Sequence, residues 1–131
     1  SNLLGTVNVI DYCCNHQIPL IYAPSSAIYG GLEFGNDKSL EMDILSPYAA
    51  DKYCMELYAK TANKLYQLSS IGLRFFNVYG PRQDPSSPYS GVISIFIDRL
   101  LNGESVTING GYQTRDFIYV QDVIEIIYKA I

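Results

Sequence analysis

Short apolar runs that end in polar residues alternate along this chain with longer segments of helical periodicity. Residues 20–23 and 72–76 are two such runs, and Pro24 and Asn77 begin the polar stretches that follow them. Strands that are buried on both faces of a parallel sheet give continuous apolar runs of this kind. The alternation therefore predicts an α/β fold with a doubly wound parallel sheet, in which ligands bind at the carboxyl ends of the strands.

The helical segments complete the predicted order of elements. Pro47 suits the first position of a helix, because that position needs no amide hydrogen. Glycine, asparagine and aspartate are frequent between residues 30 and 46, which predicts a surface loop. Helices are expected over residues 3–15, 48–68, 92–102 and 123–131, and two further short strands over 106–108 and 116–120.

The composition limits the class of protein. The chain has 131 residues, of which 48% are hydrophobic and 17% charged, and its net charge is -4, as expected for a globular domain with an acidic balance. The acidic balance argues against nucleic acid or an anionic membrane as the main partner. No apolar run reaches the roughly 20 residues of a membrane span, and the first residues do not resemble a signal peptide, so a cytoplasmic location is expected. The three cysteines have no metal-binding or disulfide spacing, and no metal is expected.

Tyr48 and Lys52 have the spacing of a catalytic pair. Because they are four residues apart on a predicted helix, both side chains emerge on one face. A free tyrosine has a pKa of about 10, and a nearby ammonium group stabilises the phenolate, which brings proton transfer closer to neutral pH. The pair could equally be a packed ring beside a solvated charge, since this spacing is common by chance. The residues around it decide between these interpretations.

Four segments resemble the extended short-chain dehydrogenase/reductase family, and its nucleotide-sugar branch in particular. They are SSAIYG (25–30), SPYAADK (46–52), RFFNVYGPR (74–82) and TRDFIYVQD (114–122). The resemblance implies a Rossmann-like fold, with the latter half of an NAD-binding domain in residues 1–80. Residues 81–131 would then hold segments of a small substrate-binding domain together with a returning strand and helix.

The resemblance also implies roles for individual residues. Tyr48 would be the catalytic acid/base and would also contact the cofactor, and Lys52 would assist it and bind the nicotinamide ribose. Ser25 would be the hydroxyl that bridges the substrate and Tyr48, with Ser26 as second choice and a further substrate contact. Phe75 is assigned to the cofactor site. For the substrate diphosphate, the resemblance implies contacts from Asn77, which could also be an exit-turn residue, and from Arg115, which could also be a surface arginine paired with Asp116.

The residues after Ser25 narrow the reaction. Dehydratases of this family carry an acid pair after the hydroxyl residue, and here those positions hold Ser26 and Ala27. Elimination is therefore disfavoured, and 4-epimerisation of a UDP-hexose with bound NAD is expected. In that reaction Tyr48 takes the C4 hydroxyl proton, a 4-keto sugar forms and rotates, and hydride returns to its other face.

Two alternatives stay open. Residues 18–23 and 27–31 also resemble an ADP-heptose 6-epimerase that uses NADP. The glycine-rich turn of a dinucleotide fold is absent from this chain, so it is expected to be inactive by itself and could act only as a dimerisation or binding module. In the family, the first helix and the Tyr48 helix pair with those of a second copy in a four-helix bundle, which implies a homodimer.

Overall fold

The computed structural model describes residues 2–32 and 41–131, in which helices and parallel strands confirm the α/β fold class. Two compact units divide the chain: unit 1 holds residues 1–75 with 130–131, and unit 2 holds residues 76–129. The expected domain division after residue 80 stays a prediction. The elements are α1 (Asn2–His16), β1 (Leu20–Tyr22), a 3₁₀ helix (Ser26–Tyr29), α2 (Pro47–Tyr66), β2 (Ser70–Gly72), β3 (Asn77–Tyr79), α3 (Val92–Leu101), β4 (Phe117–Tyr119) and α4 (Val120–Ala130).

Helix α2 begins and ends with specific backbone contacts. The Oγ of Ser46 accepts a hydrogen bond from the amide of Ala49 at 3.1 Å, and Pro47 takes the first turn as predicted. At the other end Gln67 adopts a left-handed conformation, and the side chain of Asn63 donates to the carbonyl of Leu68 at 2.9 Å. The predicted helix over 48–68 is thus confirmed within two residues at its carboxyl end.

Unit 1 is built on the packing of α1 against α2 beside a parallel ladder. Strands β1 and β2 pair in parallel with Ile21 opposite Ile71. The buried cluster beside them consists of Ile10, Cys13, Ala59, Ala62 and Leu68. Burial of these apolar side chains supplies the main driving force for the unit. The three free cysteines include Cys13 in this cluster.

The strand predicted over residues 72–76 is corrected by the structure. Strand β2 ends at Gly72, where a Cβ atom would lie 2.7 Å from the ring of Tyr22, and the next strand, β3, begins at Asn77. The reason is a change of partner, since β2 pairs with β1 whereas β3 pairs with β4. None of residues 72–76 is buried, and Gly72 and Phe76 are exposed, so the apolar run predicted neither the burial of this segment nor the end of its ladder.

In unit 2, strands β3 and β4 form a parallel ladder with Val78 opposite Ile118. Helix α3 confirms the predicted helix over 92–102, and β4 the predicted strand over 116–120. The strand predicted over 106–108 is wrong, because these residues pair with no strand in the described part of the chain. Helix α4 begins at Val120, three residues earlier than predicted.

Residues 33–40 of the predicted surface loop lie outside the described residues. Within residues 2–32 and 41–131, we find no helix with the length and hydropathy needed to cross a membrane.

Candidate functional site

Ser25 and Ser26 lie in the turn that follows β1. Ser25 has an extended backbone and caps the 3₁₀ helix, since its Oγ accepts a hydrogen bond from the amide of Ala27 at 3.2 Å. It also forms an isolated parallel bridge with Phe75, and the amide of Ser26 donates to the Phe75 carbonyl at 3.1 Å. The backbone of Phe75 therefore fixes the position of both serines at the carboxyl end of the β1–β2 ladder.

Tyr48 and Lys52 occupy successive turns at the start of α2. The Nζ of Lys52 lies 5.7 Å from the centroid of the Tyr48 ring and donates to the carbonyl of Ala23 at 2.8 Å. Ala23 stands two residues before Ser25, so this hydrogen bond joins the Tyr48 helix to the serine turn. Tyr48 is 49% exposed, which leaves its side chain accessible from solvent.

These residues suit the ribose end of a dinucleotide. The ammonium group of Lys52 uses one of its three N–H donors on Ala23, so two are left for ribose hydroxyls. The Ser25 hydroxyl accepts a bond from Ala27 and can still donate its own hydrogen to a ligand. The geometry of unit 1 is therefore compatible with NAD held by Lys52 and Tyr48, and Phe75 contacts the serine turn through its backbone.

Asn77 and Arg115 both belong to unit 2. The Nδ2 of Asn77 donates to the carbonyl of Asp116 at 2.9 Å, and the Asn77 backbone amide donates to the same carbonyl at 3.1 Å. Asp116 directly follows Arg115 in sequence, so Asn77 contacts the residue next to Arg115. Arg115 is exposed, and its guanidinium donates to the carbonyl of Thr114 at 2.7 Å. The ion pair between Arg115 and Asp116 that the sequence left open is not among the salt bridges of the described residues.

Arg115 lines an open groove on unit 2 that the sequence did not reveal. A second arginine, Arg99, lines the same groove from α3. Apolar and amide-bearing side chains complete the lining, among them Ile95, Phe96, Asn109 and Gln113. Two guanidinium groups beside apolar walls suit a ligand that combines anionic groups with a flat ring. Arg99 lies on α3, more than ten residues before Arg115, and no pattern in the sequence connects these two arginines.

Arg74 is a second residue that sequence reasoning did not single out. Its guanidinium donates to both carboxylate oxygens of Glu56 at 2.7 Å and to the hydroxyl of Tyr29 at 2.8 Å. The side chains of Arg74 and Glu56 are 18% and 16% exposed. Glu56 holds the pKa of Arg74 well above its usual range, so this guanidinium stays charged. Glu56 follows Lys52 by four residues, which is a signal for a shared helix face.

Burial has a separate effect on Tyr22, the last residue of β1. Burial raises the pKa of the Tyr22 hydroxyl, the negative charge of Glu56 raises it further, and Arg74 partly opposes both. Tyr22 therefore stays protonated at neutral pH. The ring of Tyr22 packs against the backbone of Gly72 and so contributes to the packing of the β1–β2 ladder.

A family model, that of the NAD dependent epimerase/dehydratase family, matches residues 1–131. The chain belongs to this family. The resemblance described from the four sequence segments is therefore confirmed, and the Rossmann-like α/β class with it.

Individual relatives are similar to most of this chain. A putative UDP-glucose 4-epimerase from Methanocaldococcus jannaschii is 45% identical over 129 residues, which are 93% of this chain and 41% of the relative. A UDP-N-acetylglucosamine 4-epimerase from Methanobrevibacter ruminantium, solved with UDP-N-acetylmuramic acid, matches with a TM-score of 0.89 and 43% identity over 95% of this chain and 41% of its own. The UDP-glucose 4-epimerase of Thermus thermophilus, solved with NAD, has a TM-score of 0.86 and 36% identity, covering 98% and 44% of the two chains. The chain thus spans less than half of each of these relatives.

Proposed function

We propose that the intact protein is an NAD-dependent UDP-hexose 4-epimerase in which unit 1 of this chain supplies the proton-transfer residues. The observation that carries the proposal is the hydrogen bond from Lys52 to Ala23, which joins the Tyr48 helix to the Ser25 turn at the carboxyl end of β1. The carboxyl ends of strands are where doubly wound sheets bind their ligands. All three relatives described above are 4-epimerases of UDP-sugars by name.

Each residue of unit 1 has a defined role in this proposal. Tyr48 removes the proton of the sugar C4 hydroxyl and later returns it. Lys52 places its positive charge next to the Tyr48 ring, where it stabilises the phenolate that proton removal creates. Ser25 donates its hydroxyl hydrogen to the substrate oxygen or to Tyr48. Bound NAD supplies the hydride acceptor and donor for C4.

The groove of unit 2 is proposed to hold the nucleotide end of the substrate. Arg115 and Asn77 would contact the diphosphate, for which a planar guanidinium can give two parallel hydrogen bonds. Arg99 adds a second cation to the same groove. We propose a UDP-sugar rather than ADP-heptose, because the relatives are named for UDP-sugars.

We further propose that the protein forms a homodimer through α1 and α2. These helices pack against each other in unit 1 and still expose large apolar side chains, including Leu4, Tyr12, Leu57 and Leu65. Exposed apolar faces on two adjacent helices suit a bundle with a second copy. The cytoplasmic location expected from the sequence stays a prediction. Sedimentation of the intact protein would test the dimer, and a monomer at all concentrations would contradict it.

The function is tested with the intact purified protein. Mass spectrometry of material released on denaturation should find NAD, with NADP as the alternative outcome. Incubation with UDP-glucose or UDP-N-acetylglucosamine should then yield the corresponding C4 epimer. The Tyr48→Phe variant should retain bound NAD and lose roughly 100- to 10,000-fold in kcat, the usual contribution of a general acid/base.

Tyr53→Phe is the matched control, because Tyr53 is on the same helix but outside the proposed pair. Its kcat should equal that of the wild type. Full activity of Tyr48→Phe would overturn the mechanism. Absence of both bound dinucleotide and epimerisation in the intact wild type would favour the alternative of a non-catalytic binding module.

A further inference from the structure

Arg74 is the centre of a three-residue network in unit 1. It donates two hydrogen bonds of 2.7 Å to the carboxylate of Glu56 and one of 2.8 Å to the hydroxyl of Tyr29. Its guanidinium carbon also lies 5.2 Å from the centroid of the Tyr29 ring. The two charged side chains are half-buried, and Tyr29 is only 8% exposed. Screening by solvent is therefore weak, and the orientation of all three groups is fixed.

The partners of Arg74 come from the two segments that carry the proposed proton-transfer residues. Glu56 lies one helical turn after Lys52, which itself lies one turn after Tyr48, so the three share a face of α2. Tyr29 is the last residue of the 3₁₀ helix that Ser25 caps. Arg74 thus bridges the Tyr48 helix and the Ser25 turn.

The position of Arg74 in the chain adds a third connection. The next residue, Phe75, pairs with Ser25 and accepts the hydrogen bond from the amide of Ser26. The side chain of Arg74 and the backbone beside it therefore hold opposite ends of the same turn, Tyr29 and Ser25. A displacement of Arg74 would move the turn relative to α2.

An ion pair of this kind contributes little to the stability of the fold by itself. Removal of two charges from water costs about as much as their attraction returns, and apolar residues of the same size often stabilise a protein more. What a bidentate guanidinium provides is direction, because its planar fork accepts the carboxylate in one geometry. The geometry therefore indicates that the network fixes the distance between α2 and the turn that begins at Ser25.

We propose that Arg74 is a positioning residue, which with Glu56 and Tyr29 sets the placement of the Tyr48–Lys52 helix face relative to Ser25. This inference rests on the function proposed above. Proton transfer between a substrate hydroxyl, Ser25 and Tyr48 requires hydrogen-bond distances, and a misplacement of about 1 Å can cost about 100-fold in rate. Arg74 would thus act on kcat without contact to the substrate.

The test uses Arg74→Lys and Tyr29→Phe in the intact protein. Arg74→Lys keeps the charge and removes the fork, and Tyr29→Phe removes only the hydroxyl. We expect kcat to fall by about 10- to 100-fold in Arg74→Lys, with the KM for the UDP-sugar within about twofold of the wild type. Tyr29→Phe should show a smaller loss in the same direction. The double variant should lose less than the product of the two single losses, because both changes disrupt the same hydrogen bond between Arg74 and Tyr29.

Asn63→Ala is the control for a purely structural effect. It removes a side-chain hydrogen bond at the far end of the same helix, away from Tyr48. Melting temperatures of all variants are measured beside the kinetics. Arg74→Lys should lose far more kcat than Asn63→Ala at an equal loss of melting temperature.

The outcomes separate the two proposals. If the wild type is active, Tyr48→Phe is inactive, and Arg74→Lys and Tyr29→Phe keep wild-type kcat, the positioning role is wrong and the function stands. The positioning role is also wrong if kcat falls only in proportion to melting temperature, as in Asn63→Ala. An inactive wild type without bound dinucleotide removes both proposals. If Arg74→Lys does not fold, Tyr29→Phe alone decides, since a hydroxyl deletion leaves the ring and the ion pair in place.

Discussion

The two units of this chain differ in how they use their apolar residues. Among the described residues, unit 1 has nine buried hydrophobic side chains, from Ile10 to Leu68, whereas Val123 is the one in unit 2. Helix α3 of unit 2 has no buried residue although most of its side chains are large and apolar. Unit 1 thus holds its elements together by a core, while unit 2 presents apolar surface and an open groove.

The polar contacts follow the same division. In unit 1, Lys52 and Arg74 form hydrogen bonds that join segments 18 to 45 residues apart. In unit 2, Asn77 contacts Asp116 across the ladder, but the bonds around Asp84 and that of Arg115 are local. Charges fixed by tertiary contacts suit proton transfer, which needs short and constant distances. Exposed arginines in a groove suit the capture of an anionic ligand.

Truncation of a buried side chain should show the largest difference between the units. Ile28 is 0% exposed in unit 1, whereas Ile97 on α3 is 53% exposed. Ile28→Ala should lower the free energy of unfolding by about 2–5 kcal/mol, through lost burial and the cavity left behind. Ile97→Ala is the matched control and should cost less than about 1 kcal/mol. Urea denaturation of this 131-residue chain measures both, and equal effects would contradict the contrast in burial.

Substitution of a glycine with positive φ should also destabilise unit 1 more than unit 2. A Cβ on Gly30 in unit 1 would lie 2.0 Å from the carbonyl oxygen of Asp43, while one on Gly103 in unit 2 would meet no atom within 4 Å. Gly30→Ala should therefore destabilise by about 2–4 kcal/mol, from backbone strain and overpacking together. Gly103→Ala incurs only the strain, about 1–2 kcal/mol. Thermal unfolding measures both losses of stability. A smaller loss for Gly30→Ala than for Gly103→Ala would show that the turn at Gly30 can rearrange to make room for the added methyl group.

Replacement of the groove arginine should affect binding rather than turnover. Arg115→Lys removes the planar fork, so we expect the KM for the UDP-sugar to rise about 10-fold while kcat stays within about twofold. Arg82→Lys, in the exposed loop before α3, is the control and should leave both constants unchanged. Steady-state kinetics of the intact protein distinguish them. A loss of kcat in Arg115→Lys would place Arg115 with the proton-transfer residues instead.

The smallest effect concerns the exposed carboxylate of Asp84. The hydroxyl and amide of Ser86 donate to it at 2.7 and 2.9 Å, and these bonds hold the pKa of Asp84 below its usual value of about 4. A lowered pKa stabilises the fold above the usual value, and this contribution is lost as the pH falls through the lowered pKa. Ser86→Ala should raise the pKa of Asp84 toward the usual value in an NMR titration. Ser87→Ala, whose hydroxyl accepts from Tyr89 instead, should not change it.

The sequence was sufficient to predict those features that depend on neighbouring residues. Pro47 marked the start of α2, and the four-residue spacing put Tyr48 and Lys52 on one face, because helix starts and helix faces depend on neighbouring residues. The motif segments carried the family, which the family model confirms. The roles of Ser25, Tyr48, Lys52, Phe75, Asn77 and Arg115 stay predictions that the placement of these residues supports.

Only the tertiary structure decided which distant residues meet. The strand predicted over 106–108 has no ladder partner among the described residues, and of the run over 72–76 only Gly72 belongs to a ladder strand, while Phe75 forms an isolated bridge with Ser25, since pairing depends on strands far away in sequence. The contact of Arg74 with Glu56 and Tyr29 depends on the same long-range folding, as does that of Lys52 with Ala23. Spacing along a helix thus determined which side chains share a face, and packing of the chain determined what that face contacts.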